Sequence, residues 1–88
     1  MLPPVDDARQ ELEHHLIELW TAKLGKSPIG RQDNFFELGG DSLVAADVLM
    51  DIYLELHHEV DAWVLFMHPT VAELADAILD DAQNRPGE

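Results

Sequence analysis

Between Leu43 and Leu56 the only charged residues are Asp47, Asp51 and Glu55, spaced four apart, and every other position is apolar. Recurrence at four is the period of an α-helix, whereas a half-buried strand alternates polar and apolar residues at every second place. The stretch from Ser42 to about Leu56 is therefore a helix with one narrow acidic stripe. At 100° per residue, Ala46, Leu49, Tyr53 and Leu56 lie opposite that stripe and are expected in the core, with Leu43, Met50 and Leu54 near its edge. In so small a protein, part of this apolar circumference must meet solvent or a partner.

The remaining segments have the same period. From Asp6 or Asp7 to about Leu24, the residues Leu12, Leu16, Leu19, Trp20 and Leu24 form one apolar stripe; the leading aspartates suit the positive end of the helix dipole, and Gly25 stops the helix. Ala62 to Met67 is a short apolar segment closed by Pro69. The last helix has Thr70 as its cap, Glu73 three residues on as capping-box partner, and a stripe of Val71, Leu74, Ala75, Ile78 and Ala82. Between Gly25 and Asp41 runs a long connection that holds Pro28, Gly30, Gly39 and Gly40, yet also Ile29, Phe35, Phe36 and Leu38, so it is expected to pack onto the core. Within it, Asp33 or Asn34 caps a single turn, with Glu37 closing the pair. The fold class expected is all-α: a four-helix bundle of three longer helices and one short third helix, with a long loop between the first two. The folded unit is expected over residues 6–83, with tails at 1–5 and 84–88.

Eighty-eight residues make one domain, and a chain of this size buries only ~60 to 65% of its unfolded surface, which leaves no room for a deep enclosed active site. There is no cysteine, so the chain has no thiol nucleophile, thiolate ligand or disulfide of its own. Eighteen acidic residues against five basic ones give a net charge of −13. That balance repels nucleic acid and anionic membrane and favours partners with basic patches. No apolar run reaches the ~18 residues of a membrane span, and a cytoplasmic monomer is expected.

The segment Asp33-Asn34-Phe35-Phe36-Glu37-Leu38-Gly39-Gly40-Asp41-Ser42-Leu43 closely resembles the attachment motif of the peptidyl carrier (thiolation) domains of nonribosomal peptide synthetases. Phe66 with His68-Pro69-Thr70-Val71-Ala72-Glu73-Leu74-Ala75 resembles that family's passage from short third helix to last helix, and Leu16 to Leu24 its first helix. The likeness spans roughly Glu11 to Leu79. It implies a non-catalytic carrier: a phosphopantetheinyl transferase, with coenzyme A and Mg²⁺ needed only during transfer, links a 4′-phosphopantetheine arm to the Ser42 hydroxyl. An adenylation domain then loads an amino acid as a thioester, and condensation, tailoring or thioesterase domains take it. The family uses helix two and the short helix for partner contacts, which singles out Leu43, Met50, Trp63 and Met67 as docking residues; Leu65 and Phe66 are expected in the core. A polyketide-type acyl carrier shares the fold and the serine, but the double glycine with Asn34-Phe35-Phe36 leans towards the peptidyl kind. A departure is that helix two in this family often carries basic side chains, whereas its stripe here is wholly acidic.

Elementary chemistry supports the same serine. Ser42 follows two glycines at a helix N-terminus, where free amide groups and the dipole favour a phosphate by ~0.3 to 1 kcal/mol. Gly39 and Gly40 serve either the sharp turn alone or the close approach of a transferase as well. Asp41 is a cap, a helper for Mg²⁺ during transfer, or a guide for a basic partner; with Gly40 and Leu43 it completes the expected attachment site.

Two other chemistries fit poorly. Gly40-Asp41-Ser42-Leu43 matches a short hydrolase nucleophile motif, but that motif needs a preceding strand, an oxyanion hole and an Asp-x-x-His pair; no histidine here has aspartate three residues before it, and the Gly-x-Ser-x-Gly elbow fails because position 44 is Val. His14, His15, His57, His58 and His68 include no pair at i, i+4, so no metal site is expected, and the histidines read as solvated, with His68 in the turn before Pro69. An acidic helical interaction module whose serine is never modified is a further alternative.

Overall fold

The computed structural model describes the backbone of residues 5–84 and side chains within residues 8–81. Among the described residues four helices follow in order: α1 (Val5–Leu24), α2 (Ser42–Leu56), α3 (Ala62–Met67) and α4 (Val71–Asn84). The expected tails fall largely outside the described residues, but their inner ends do not. Val5 opens α1 and Asn84 closes α4, because a helix extends beyond its apolar stripe wherever nothing breaks it.

The ends of the helices are set by local chemistry. At Gly25 (φ +67°) the backbone turns left-handed and its amide donates to the Thr21 carbonyl, closing α1. Asp41 caps α2, its Oδ1 accepting from the Val44 amide at 2.9 Å, while His57 ends the helix in the left-handed region. Thr70 Oγ1 accepts from the Glu73 amide at 3.1 Å and donates to Glu73 Oε1 at 3.0 Å, so the capping pair opens α4.

α1 packs against both α2 and α4, and α3 lies between α2 and α4. The core joins Leu16, Leu19 and Trp20 of α1, Ala45, Val48 and Ile52 of α2, Leu65 of α3 and Val71, Leu74, Ala75 and Ile78 of α4. Ile29 and Phe35 complete it from the long loop, and those insertions explain how seventeen residues without regular structure remain ordered. The loop is tied along its length. The Arg31 guanidinium donates twice to the Glu13 carboxylate of α1, at 2.9 Å each, and the Arg31 carbonyl accepts from the Ala72 amide of α4. The Phe35 amide donates to the Pro69 carbonyl at 2.7 Å, beside the isolated bridge between Asn34 and Thr70. Asn34 Oδ1 accepts from the amides of Phe36 and Glu37, so the expected cap stabilises a turn there, without a helix following it. Glu13 is buried, and its hydrogen bonds from Arg31 hold its carboxyl below the usual carboxylate range against the opposing effect of burial.

α2 sits differently from the expectation. Its buried face is Ala45, Val48 and Ile52, about 100° around the helix from the acids rather than opposite them. Ala46 and Tyr53 are exposed, and Leu49 and Leu56 half-buried. The reason lies in α1: Asp51 Oδ2 meets Lys23 Nζ at 3.0 Å, and Glu55 Oε1 meets His15 Nε2 at 2.8 Å. Those contacts bring the acidic stripe to the edge of the α1–α2 seam and turn the far apolar side to solvent. A helix with so few polar residues shows where its charges lie without showing which apolar arc meets its neighbours.

Candidate functional site

The turn Gly39-Gly40-Asp41 delivers Ser42 to the first position of α2, where the residue is exposed. Each glycine has its own reason. Gly39 has φ +103°, a backbone state that side-chain-bearing residues rarely adopt. Gly40 lies against the Phe35 ring: a Cβ there would stand 2.8 Å from Phe35 Cζ and 2.5 Å from Cδ2, and closer still to Cε2. Its amide also donates to the Phe35 carbonyl at 3.0 Å.

Asp41 commits one carboxylate oxygen to the Val44 amide, and its carbonyl accepts from Ala45 at 2.8 Å, so the first turn of α2 is closed. The amides of Ser42 and Leu43 have no hydrogen-bond partner among the described residues. Two unpaired N–H groups at the positive end of a fifteen-residue helix suit an anion esterified to the neighbouring hydroxyl, so the residues present fit a phosphodiester-linked group.

Large apolar side chains of α2 and α3 stand in solvent. Leu43 is 80% exposed, Met50 57%, Trp63 61% and Met67 65%, which places all four residues singled out from the sequence at the surface. Leu54 and Tyr53 are exposed as well, along α2 with Leu43 and Met50. Phe66, expected in the core, is 53% exposed and stacks flat on the half-buried Phe36, ring centres 5.1 Å apart. α3 has only six residues, and Leu65 alone among them is buried, so its neighbour must lie along the surface of the loop instead.

The histidines depart in part from the solvated reading. His58 Nε2 lies 3.2 Å from Asp81 Oδ2, with the His58 side chain only 13% exposed, and His15 pairs with Glu55 across α1 and α2. Packing decided this: the α2–α3 connection folds back over α4. His68 is half-buried at the end of α3, in the turn before Pro69. The seating of Gly40 on Phe35 and the Arg31–Glu13 clamp escape sequence reasoning. The single available signal for the clamp is an acid at position 13, on the apolar side of α1 between Leu12 and Leu16.

Comparison with known proteins accords with this geometry. Residues 14–78 match the family model described as phosphopantetheine attachment site. Tyrocidine synthase 3 of Brevibacillus parabrevis is 46% identical over 67 residues, covering 76% of this chain and 1% of that protein. The chain therefore spans a very small part of the relative it matches. Among solved structures, a chain in the complex of the phosphopantetheine transferase Sfp with coenzyme A and a peptidyl carrier protein is 39% identical, with TM-score 0.76 over 78% of this chain and 90% of that one. An active-site mutant peptidyl carrier protein is 32% identical, with TM-score 0.80 over 100% of this chain and 92% of that one. A chain whose helices overlay peptidyl carriers nearly end to end, and most of whose residues match one model, belongs to the phosphopantetheine attachment-site family as a carrier domain of the peptidyl type.

Proposed function

We propose that the chain holds aminoacyl or peptidyl groups as thioesters on a 4′-phosphopantetheine arm joined to Ser42, and passes them between the enzymes of a nonribosomal peptide synthetase. The observation that carries this reading is the placement of an exposed serine at the first position of α2, directly after a glycine turn, in a chain of this family. When bound, the arm supplies the thiol that a cysteine-free sequence lacks. Everything else is presentation. The glycine turn brings the hydroxyl to the head of α2, Asp41 caps the helix start, and the unpaired amides of Ser42 and Leu43 would hold the ester phosphate.

The chain catalyses nothing in this account. A phosphopantetheinyl transferase brings coenzyme A and Mg²⁺ to Ser42; the Asp41 oxygen not engaged by Val44 is available to that metal or to a basic group on the transferase. Adenylation, condensation, tailoring or thioesterase domains then meet the exposed side chains Leu43, Met50, Trp63 and Met67. Each large apolar side chain taken from water there contributes ~1.5 to 3 kcal/mol when fully covered. The acidic surface selects partners with basic rims, and a cytoplasmic setting, where coenzyme A is available to the transferase, completes the reading.

The test is intact mass spectrometry after incubation with coenzyme A, Mg²⁺ and a broad-specificity transferase. The wild-type chain should gain one phosphopantetheine, and Ser42→Ala should gain none while keeping its helical circular dichroism. A wild-type chain that stays unmodified would remove the proposal.

A further inference from the structure

Phe35 stands at a junction that no carrier function requires on its face. Its ring is fully buried, with Trp20 of α1 packed edge-on at 4.9 Å and Phe36 edge-on at 5.2 Å. Its amide is held by the Pro69 carbonyl, and its own carbonyl holds the Gly40 amide. Gly40 then lies so close to the ring that no side chain fits between them. Two residues later comes Ser42.

From this arrangement we infer that Phe35 is a positioning residue for the modification of Ser42: its ring is the seat that sets the height of the Gly40-Asp41-Ser42 turn above the core. Ordinary carbon contacts settle at about 3.5 to 4.0 Å. A methyl group at position 40 would begin at 2.5 Å from Phe35 Cδ2 and 2.8 Å from Cζ. The ring has little room to retreat, since it is fully buried with Trp20 and Phe36 packed edge-on against it, and the Pro69 and Gly40 hydrogen bonds fix its backbone. The turn must give way instead, by an amount on the order of 1 Å, and a misplacement of that size at a reacting group can lower a rate by ~10²-fold. The second glycine is thus required by the ring beneath it, independently of anything an approaching transferase needs.

The inference rests on Ser42 being the site of modification, and a compensation experiment separates the two. Transfer of phosphopantetheine from coenzyme A is measured as kcat and KM for wild type, Gly40→Ala, Phe35→Leu and the double variant, all at a temperature where each shows native helical circular dichroism. Gly40→Ala should lower kcat at least ~tenfold, with KM within about twofold, because the docking face is untouched while the hydroxyl is displaced. Phe35→Leu removes the ring, and in its presence Gly40→Ala should cost less than about threefold, a non-additive rescue. Should Gly40→Ala fail to fold, Phe35→Leu alone is decisive: kcat falls with KM unchanged if the ring positions the serine, and neither moves if the ring only fills the core. An equal loss from Gly40→Ala with and without the Phe35 ring would overturn the inference, assigning that glycine to contact with the transferase. No transfer to wild type would overturn the parent reading instead.

Discussion

On the flank of α2 that turns towards α1, Asp51 and Glu55 hold Lys23 and His15 beside the buried Val48 and Ile52. On the other flank Leu43, Met50 and Leu54 stand in solvent, with Asp47 at their border. The usual division of a surface helix is reversed: most of its charge lies near a neighbouring helix and its large apolar groups face outwards. The two flanks therefore answer to different demands. One is held by contacts within the chain, and the other gains only when something covers it, so substitutions on the first should act on stability and substitutions on the second on encounters with partners.

The largest effect expected is on the inner flank. Ile52→Ala should lower unfolding free energy by ~2 to 5 kcal/mol, read from urea denaturation, because a fully buried side chain leaves a cavity in a small core. A loss below ~1 kcal/mol would break the assignment of that flank to the interior.

Next comes the clamp that fixes the long loop. Arg31→Ala leaves the buried Glu13 carboxylate without its two-pronged partner, with only the longer Arg9 contact remaining, and should destabilise the fold at neutral pH. Its signature is in acid. Glu13 has a folded-state pKa below its ordinary value of 4.5, so its contribution is fully present above that value and is lost as pH falls through the lower folded one. Stability measured between pH 7 and 3 should fall less steeply in Arg31→Ala than in wild type, and parallel curves would contradict the pairing.

Smaller still is the seam itself. Lys23→Ala should lower stability less than either, since a partly exposed ion pair is weak and salt-screened. On the outer flank, Leu43→Ala and Met50→Ala should leave stability within ~0.5 kcal/mol of wild type. They should nevertheless raise the KM of the transferase or an adenylation partner by ~5-fold or more. Charge steering by the acidic surface predicts that this KM also rises with added salt, the Debye length being ~8 Å at physiological ionic strength. Loss of stability without change in KM would place these side chains in the core account instead.

Much of this was readable in advance. The helix periods of α1 and α4, the Thr70–Glu73 cap and the glycine turn before Ser42 are local signals, fixed by residues within a few places of one another. The orientation of α2 was not, because its apolar arc is wide and the deciding contacts come from Lys23 and His15, far away in sequence. Phe66 lay outside the core for the same reason: α3 is too short to bury two large side chains, and Phe36 provided a flat surface to stack on. The glycine pair was legible as a turn. That Gly40 is seated on an aromatic ring five residues earlier is a tertiary fact, visible only once Phe35 is packed against both Trp20 and the turn.

The central claim is that one hydroxyl, at the head of α2, receives the arm. The chain has only two serines, Ser27 and Ser42, so fragmentation of the transferase-treated protein decides it. The account predicts the phosphopantetheine mass on the peptide containing Ser42 and an unmodified Ser27 peptide; an adduct anywhere else, or none at all, would contradict it.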